Sequence, residues 1–144
     1  VAWAVQVPCT RHNINNKHFD GGMYSTPLLG GGNCSDLIFS TLANDGVNGD
    51  GHFYAFEKRT GKVVYKTKLK HYAWSSPVGF YNEKNELFIV VGDTYGYLYL
   101  IEGKSGRIIY DERFGTNFES SPVVVGNTLV VGSRGQSVYK VHIE

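Results

Sequence analysis

The sequence has little cysteine, almost no net charge and no long hydrophobic run. Cys9 and Cys34 are its two cysteines in 144 residues. Two cysteines exclude a disulfide framework. One bridge between loops is open to them, but two free thiols are the simpler reading. Fourteen Lys and Arg face thirteen Asp and Glu, for a net charge of +1. This excludes a nucleic-acid binder that relies on a broad basic surface. No apolar run approaches the ~20 residues of a membrane-spanning helix, so no membrane span is expected. Helical periodicity is missing throughout. The chain opens at Val1 with neither a methionine nor a charged leader, which is read as a mature or trimmed form.

Glycine, tyrosine and phenylalanine are plentiful, at 18, 10 and 8 residues. Glycine-rich turns between aromatic and β-branched runs point to an all-β chain. The chain also repeats. Ala55-Phe56-Glu57-Lys58-Arg59-Thr60-Gly61-Lys62-Val63-Val64-Tyr65 reads as strand, tight turn and strand, and the pattern returns at Leu100–Tyr110. The acid (Glu57, Glu102), the hydroxyl (Thr60, Ser105), the glycine (Gly61, Gly106) and the aromatic (Tyr65, Tyr110) keep their spacing. A fixed period of this size marks a repeat architecture.

Three blocks open with hydroxyl-rich tripeptides ending in proline: Ser25-Thr26-Pro27, Ser75-Ser76-Pro77 and Ser120-Ser121-Pro122. Proline is tolerated at a strand's start because its missing N–H removes little from the ladder there. Each block continues with a short apolar strand, then a strongly apolar strand, then an alternating strand. Asn85-Glu86 and Gly126-Asn127 supply the first turns of the second and third blocks. A fourth strand follows in the first two blocks, at 62–66 and 107–111. Residues 1–8 alternate like a further fourth strand, and Trp3 falls in the register of Tyr65 and Tyr110.

These features resemble the pyrroloquinoline-quinone-type (PQQ-like) β-propeller repeat family, whose repeat carries Ala-x-Asp-x-x-Thr-Gly-x-x-x-Trp. Ala55, Thr60 and Gly61 match, with Glu57 and Tyr65 as variants. Ser105 and Gly106 match in the second copy, beside Leu100, Glu102 and Tyr110, and Trp3 matches the tryptophan of a partial copy. The resemblance implies four-stranded antiparallel blades, three per chain, forming part of a propeller or closed by oligomerisation. On this reading residues 1–8 are the fourth strand of a neighbouring blade and 9–20 a loop. Residues 21–70 and 71–115 are complete blades, and 116–144 is a blade without its fourth strand. Trp3, Glu57, Gly61, Tyr65, Glu102, Gly106 and Tyr110 become structural staples. Each aromatic packs on the next blade near its turn, and each acid accepts backbone N–H bonds there. The family resemblance also implies an envelope or secreted setting.

The chemistry is weighed residue by residue. The resemblance implies that quinoprotein enzymes hold PQQ between a tryptophan and a vicinal Cys-Cys pair, beside calcium. No Cys-Cys pair is present, although Trp74 is a ring that could stack. Asp45, Asn48 and Asp50 lie in an oxygen-rich stretch with partial calcium-loop spacing, but the acid expected at its first position is missing. It reads more simply as an enlarged turn. Cys9, His12, His18 and Cys34 are zinc-ligand types scattered through loops. Ser25, Ser75 and Ser120 recur with the repeat, no Gly-x-Ser-x-Gly elbow is present, and Gly103-Lys104-Ser105 lacks the upstream glycine of a phosphate loop.

No catalytic residue and no cofactor are therefore expected. Binding remains, at residues before the Ser-x-Pro openings: Tyr24, His71, Tyr72, Trp74, Phe118 and Glu119. Exposed aromatics at a propeller mouth suit a protein partner or small ligand. The alternative is a fragment of a quinone-dependent dehydrogenase. Three blades are fewer than the typical 4 to 8, so these residues are either part of a longer polypeptide or a homo-oligomer. In the homo-oligomer, Val1–Val7 of one copy pairs beside Ser137–Ile143 of another.

Overall fold

The computed structural model describes residues 1–7, 9, 12–14, 17–19, 21–43 and 50–143. Alternating apolar strands bounded by glycine and asparagine turns produce three antiparallel meanders. The first contains β3 (Leu28–Leu29), β4 (Leu37–Leu42), β5 (Gly51–Glu57) and β6 (Val63–Leu69). The second contains β7 (Val78–Tyr81), β8 (Leu87–Gly92), β9 (Tyr97–Glu102) and β10 (Ile108–Arg113), and the third β11 (Val123–Val125), β12 (Thr128–Ser133) and β13 (Ser137–His142). Asn85 and Gly126 adopt the positive φ their turns require, +59° and +55°. Among the described residues no helix is long and apolar enough to cross a membrane.

Two expectations change. Residues 9–20 contain a short hairpin, β1 (His12–Ile14) against β2 (Lys17–Phe19), with His12 opposite Phe19. Three-residue strands are too short to show alternation, so the sequence reads as loop. Val1–Val7, expected to be a strand, joins no sheet. A strand is defined by its ladder, and no described strand lies beside it to bond with.

The pleat sorts side chains by period two onto opposite faces. Phe53 and Ala55 of β5 face the second sheet, where they meet Leu87, Ile89, Val91, Tyr99 and Ile101. Tyr54 and Phe56 face the other way, with Leu42 and the amino-terminal Val7. Val90 and Leu98 on the second sheet's far face meet Phe118, Leu129 and Val131. The layers therefore stack in chain order, each buried side chain contributing about 1.5–3 kcal/mol. The third sheet's far face is bare. Val138 stands where Phe53 and Leu98 stand in the first two sheets, yet it is 75% exposed against 0% and 4%.

Two recurring devices join neighbouring sheets. In the first two sheets the turn after the third strand is built bond for bond alike. Gly61 N–H donates to the Glu57 carbonyl and Gly106 N–H to that of Glu102, both at 2.8 Å. The Thr60 and Ser105 hydroxyls donate to the Glu57 and Glu102 carboxylates. The same hydroxyl oxygens accept from Lys62 N–H and Arg107 N–H at 3.2 Å. The expected bond from backbone N–H to the acid is not made: each acid binds a hydroxyl, and that hydroxyl accepts the backbone N–H.

Gly61 and Gly106 sit at φ +74°, a region costly for other residues. A Cβ there would also collide with the Trp3 ring at 2.5 Å and the Tyr65 ring at 2.3 Å, respectively. Trp3 Nε1–H donates to the Lys58 carbonyl at 3.0 Å, and the Tyr65 hydroxyl to that of Gly103 at 2.8 Å. Lys58 and Gly103 hold the same place in the repeat. Trp3 therefore docks on the first sheet as Tyr65 docks on the second. Tyr110 has no such turn and is 52% exposed, which corrects its expected role as a packed staple. The Ser-x-Pro segments form a second device. Thr26 N–H donates to Ser76 Oγ at 2.9 Å and Ser76 N–H to Ser121 Oγ at 3.3 Å, a hydroxyl ladder stepping from sheet to sheet.

Candidate binding surface

The loops entering the three sheets, and the turns joining β8 to β9 and β12 to β13, meet at one end of the stack. Gly51 touches the backbone of Tyr72, and Gly96 that of Gly115, with no room for a Cβ. Asp93 anchors this end. It is fully buried and accepts from Tyr95 N–H at 2.9 Å, Tyr97 N–H at 3.0 Å and the Tyr99 hydroxyl at 2.5 Å. Burial, and that bond to a carboxylate, push the Tyr99 phenol far above its ordinary range, so it stays a donor. The Tyr99 oxygen in turn receives Lys70 N–H at 3.0 Å. The backbone carbonyl of Asp93 accepts from Phe118 N–H at 3.0 Å, tying in the third sheet's entry loop.

On this support lies a chain of aromatic rings. Tyr24 meets Trp74 edge-on at 6.3 Å, Trp74 meets Tyr72 at 5.3 Å, Tyr72 meets His71 at 4.5 Å, and His71 stacks on Tyr95 at 3.8 Å. Tyr24 and Tyr95, at the two ends, are 60% and 55% exposed. The Thr94 hydroxyl lies within hydrogen-bond reach of both the Tyr72 carbonyl, at 3.1 Å, and His71 Nδ1. Trp74 Nε1 is buried with no acceptor among the described residues, which leaves a donor whose desolvation is uncompensated.

Burial lowers the His71 pKa, against the smaller opposing pull of Asp93 and Asp50. The fold thus prefers neutral imidazole. Its contribution to stability is complete above the unfolded value of about 6.5 and is lost as pH falls below that. Thermal melts from pH 8 to pH 5 are expected to fall more steeply for wild type than for His71→Phe, which keeps the ring stack. Parallel curves would remove His71 from this account.

Of the residues singled out from sequence, Tyr24, His71, Tyr72 and Trp74 come together. Phe118 does not join them: it is fully buried, its ring over Gly92 and edge-on to Tyr139 at 5.9 Å. Its place before Ser120 suggested exposure, but the missing side chain at Gly92 opens a core slot that it fills. Glu119 lies beside the third sheet, paired with Arg134 at 3.1 Å. Tyr95 was missed, since its turn has no counterpart of the same composition in the other blocks.

Asp45 and Asn48 fall outside the described residues. Asp50 pairs with Lys68 at 3.3 Å. Of the zinc-type residues, Cys34 is a free thiol inside the first core layer and Cys9 a free exposed thiol. Burial pushes the Cys34 thiol up, away from the thiolate that would bind metal or attack. Among the described residues no three His, Cys, Asp or Glu side chains gather to hold a metal ion. The sequence holds no vicinal cysteine pair of the kind the family resemblance places beneath a quinone ring.

The profile of the family described as outer membrane protein assembly factor BamB matches residues 47–144. The chain belongs to this family of PQQ-like propeller repeats. Among solved structures, BamB from Moraxella catarrhalis superposes with a TM-score of 0.55 at 13% identity, covering 74% of this chain and 30% of that one. A europium-containing methanol dehydrogenase superposes at 0.54 with 12% identity, covering 81% and 23%. These likenesses show the fold alone. In sequence, the human beta-alanine-activating enzyme is 28% identical over 81 residues, 55% of this chain and 7% of that protein. The chain spans less than a third of each of these three relatives. In this PQQ-like repeat chain the recurring turns dock one sheet on the next, while the aromatic strip is drawn from the segments before the Ser-x-Pro openings, where Tyr24 and Trp74 hold the same repeat position, and from the turn carrying Tyr95.

Proposed function

We propose that this chain is a non-catalytic, ligand-binding arc of a PQQ-like propeller, and that it binds an extended protein segment across the Tyr24–Trp74–Tyr72–His71–Tyr95 strip. The observation carrying this reading is the strip itself, rings in sequence with exposed ends and a buried indole N–H that finds no acceptor among the described residues. Large rigid rings give contact area at low entropic cost. The family's description as an assembly factor for outer membrane proteins supports a protein partner and a cell-envelope setting. The strip's chemistry does not require a cofactor.

The rival is a dehydrogenase fragment, for which Trp74 would stack on a quinone. One preparation separates them. In a Trp3→Phe chain the fluorescence reports Trp74 alone. Titration with extended peptides rich in aromatic and aliphatic residues is expected to shift that emission at micromolar concentrations. With PQQ, calcium and an alcohol, no reduction of an electron-accepting dye is expected. Dye reduction abolished by Trp74→Ala would assign the chain to the dehydrogenase class.

A further inference from the structure

Among the described residues, the backbone around the aromatic strip is already engaged. Gly22, two residues before Tyr24, pairs with Ala43 in both directions, at 3.1 and 2.9 Å. The Tyr72 carbonyl accepts Thr94 N–H at 3.0 Å. Tyr95 N–H is held by the Asp93 carboxylate at 2.9 Å. A ligand segment adding itself as a strand needs a free row of N–H and C=O groups to pair with, and these positions do not supply one. Such a strand would also bring N–H groups of its own. The two carboxylates nearest His71 are engaged as well. Asp93 is fully buried on three donors, and Asp50 pairs with Lys68 at 3.3 Å. The strip presents ring faces and phenol hydroxyls instead. Tyr24 and Tyr95 are more than half exposed, and the Tyr72 and Tyr95 hydroxyls bond to no described residue.

We propose that the segment bound by the strip is proline-rich and docks as a polyproline II helix. This rests on the reading of the strip as a peptide-binding surface and names the class of peptide. A polyproline II helix has no internal hydrogen bonds, and its prolines carry no N–H. Its carbonyls therefore need donors, its rings need apolar faces, and it brings few donors that need acceptors. The strip matches that demand. The Tyr72 and Tyr95 hydroxyls donate to ligand carbonyls, and prolyl rings lie against the aromatic faces. Aromatic-lined surfaces take proline-rich segments in this way, and the preformed helix loses little entropy on docking. The dimensions are compatible. Steps of 6.3 and 5.3 Å lead from Tyr24 through Trp74 to Tyr72, the scale of the ~9 Å turn of that helix.

The test uses the Trp3→Phe chain, with affinity read from Trp74 emission. An oligoproline peptide is compared with the extended aromatic and aliphatic peptides at equal length. Oligoproline is expected to bind at least about tenfold more tightly, because it is preformed and leaves no N–H unpaired. Tyr72→Phe and Tyr95→Phe keep the rings and remove the donors. Each is expected to weaken oligoproline binding about two- to tenfold, the worth of one hydrogen bond, with an unchanged denaturant midpoint. Oligoproline that binds no more tightly than the other peptides, or equally well to both variants, would overturn this inference and leave the peptide-binding reading standing. Emission unmoved by any of the peptides would overturn both.

Discussion

Asp93→Ala is expected to lower the stability of the fold by roughly 3–5 kcal/mol, the range for stripping one partner from a buried charged network. The carboxylate is fully buried and takes two backbone N–H groups and one phenol. Removing it leaves three donors without acceptors, each costing about 1–3 kcal/mol in part relieved by entering water. Tyr99→Phe removes one bond of the three and is expected to cost about 1–2 kcal/mol. Denaturant midpoints for the two variants check the order. Equal, small losses would show that the turn holds without its acid. Because the Asp93 carboxylate fixes Tyr95 through its backbone N–H, Asp93→Ala is also expected to weaken peptide binding at the strip.

The second large effect contrasts two residues that the sequence makes equivalent. Tyr65→Ala is expected to cost roughly 2–4 kcal/mol, approaching the range of buried aromatics, because the ring fills the space over Gly106 and its hydroxyl binds the Gly103 carbonyl. Burial raises the Tyr65 phenol well above its ordinary range, so the bond persists at alkaline pH. Tyr110→Ala is expected to change stability by at most about 0.5 kcal/mol in the single chain, since Tyr110 is 52% exposed. Equal costs for Tyr65 and Tyr110 in the monomer would break the docking account.

Much of the fold is legible in the sequence because the repeat writes the same local physics more than once. Thr60-Gly61 and Ser105-Gly106 mark turns that need positive φ, and the Ser-x-Pro tripeptides mark strand starts. What the repeat cannot convey is a neighbour. Tyr110 is written like Tyr65, and only the presence of a following turn decides whether it is buried. Phe118 looks like a mouth residue until the gap over Gly92 is seen. Asp93, within Gly92-Asp93-Thr94-Tyr95-Gly96, looks like a solvated turn acid, yet its own turn and the following strand β9 bring three donors onto it. The site was legible in part for the same reason. Tyr24, His71, Tyr72 and Trp74 cluster near the block openings, whereas Tyr95 joins them only through a stack made in three dimensions.

The central claim, that the aromatic strip is a binding surface and not part of the fold's support, is tested most directly by measuring affinity and stability in the same variant. Tyr24→Ala/Tyr95→Ala removes both exposed ends of the strip. Peptide affinity read from Trp74 emission is expected to fall at least about tenfold, as for the loss of aromatic contacts at an interface centre, while the denaturant midpoint stays at the wild-type value. Undiminished affinity with the two rings gone would contradict it.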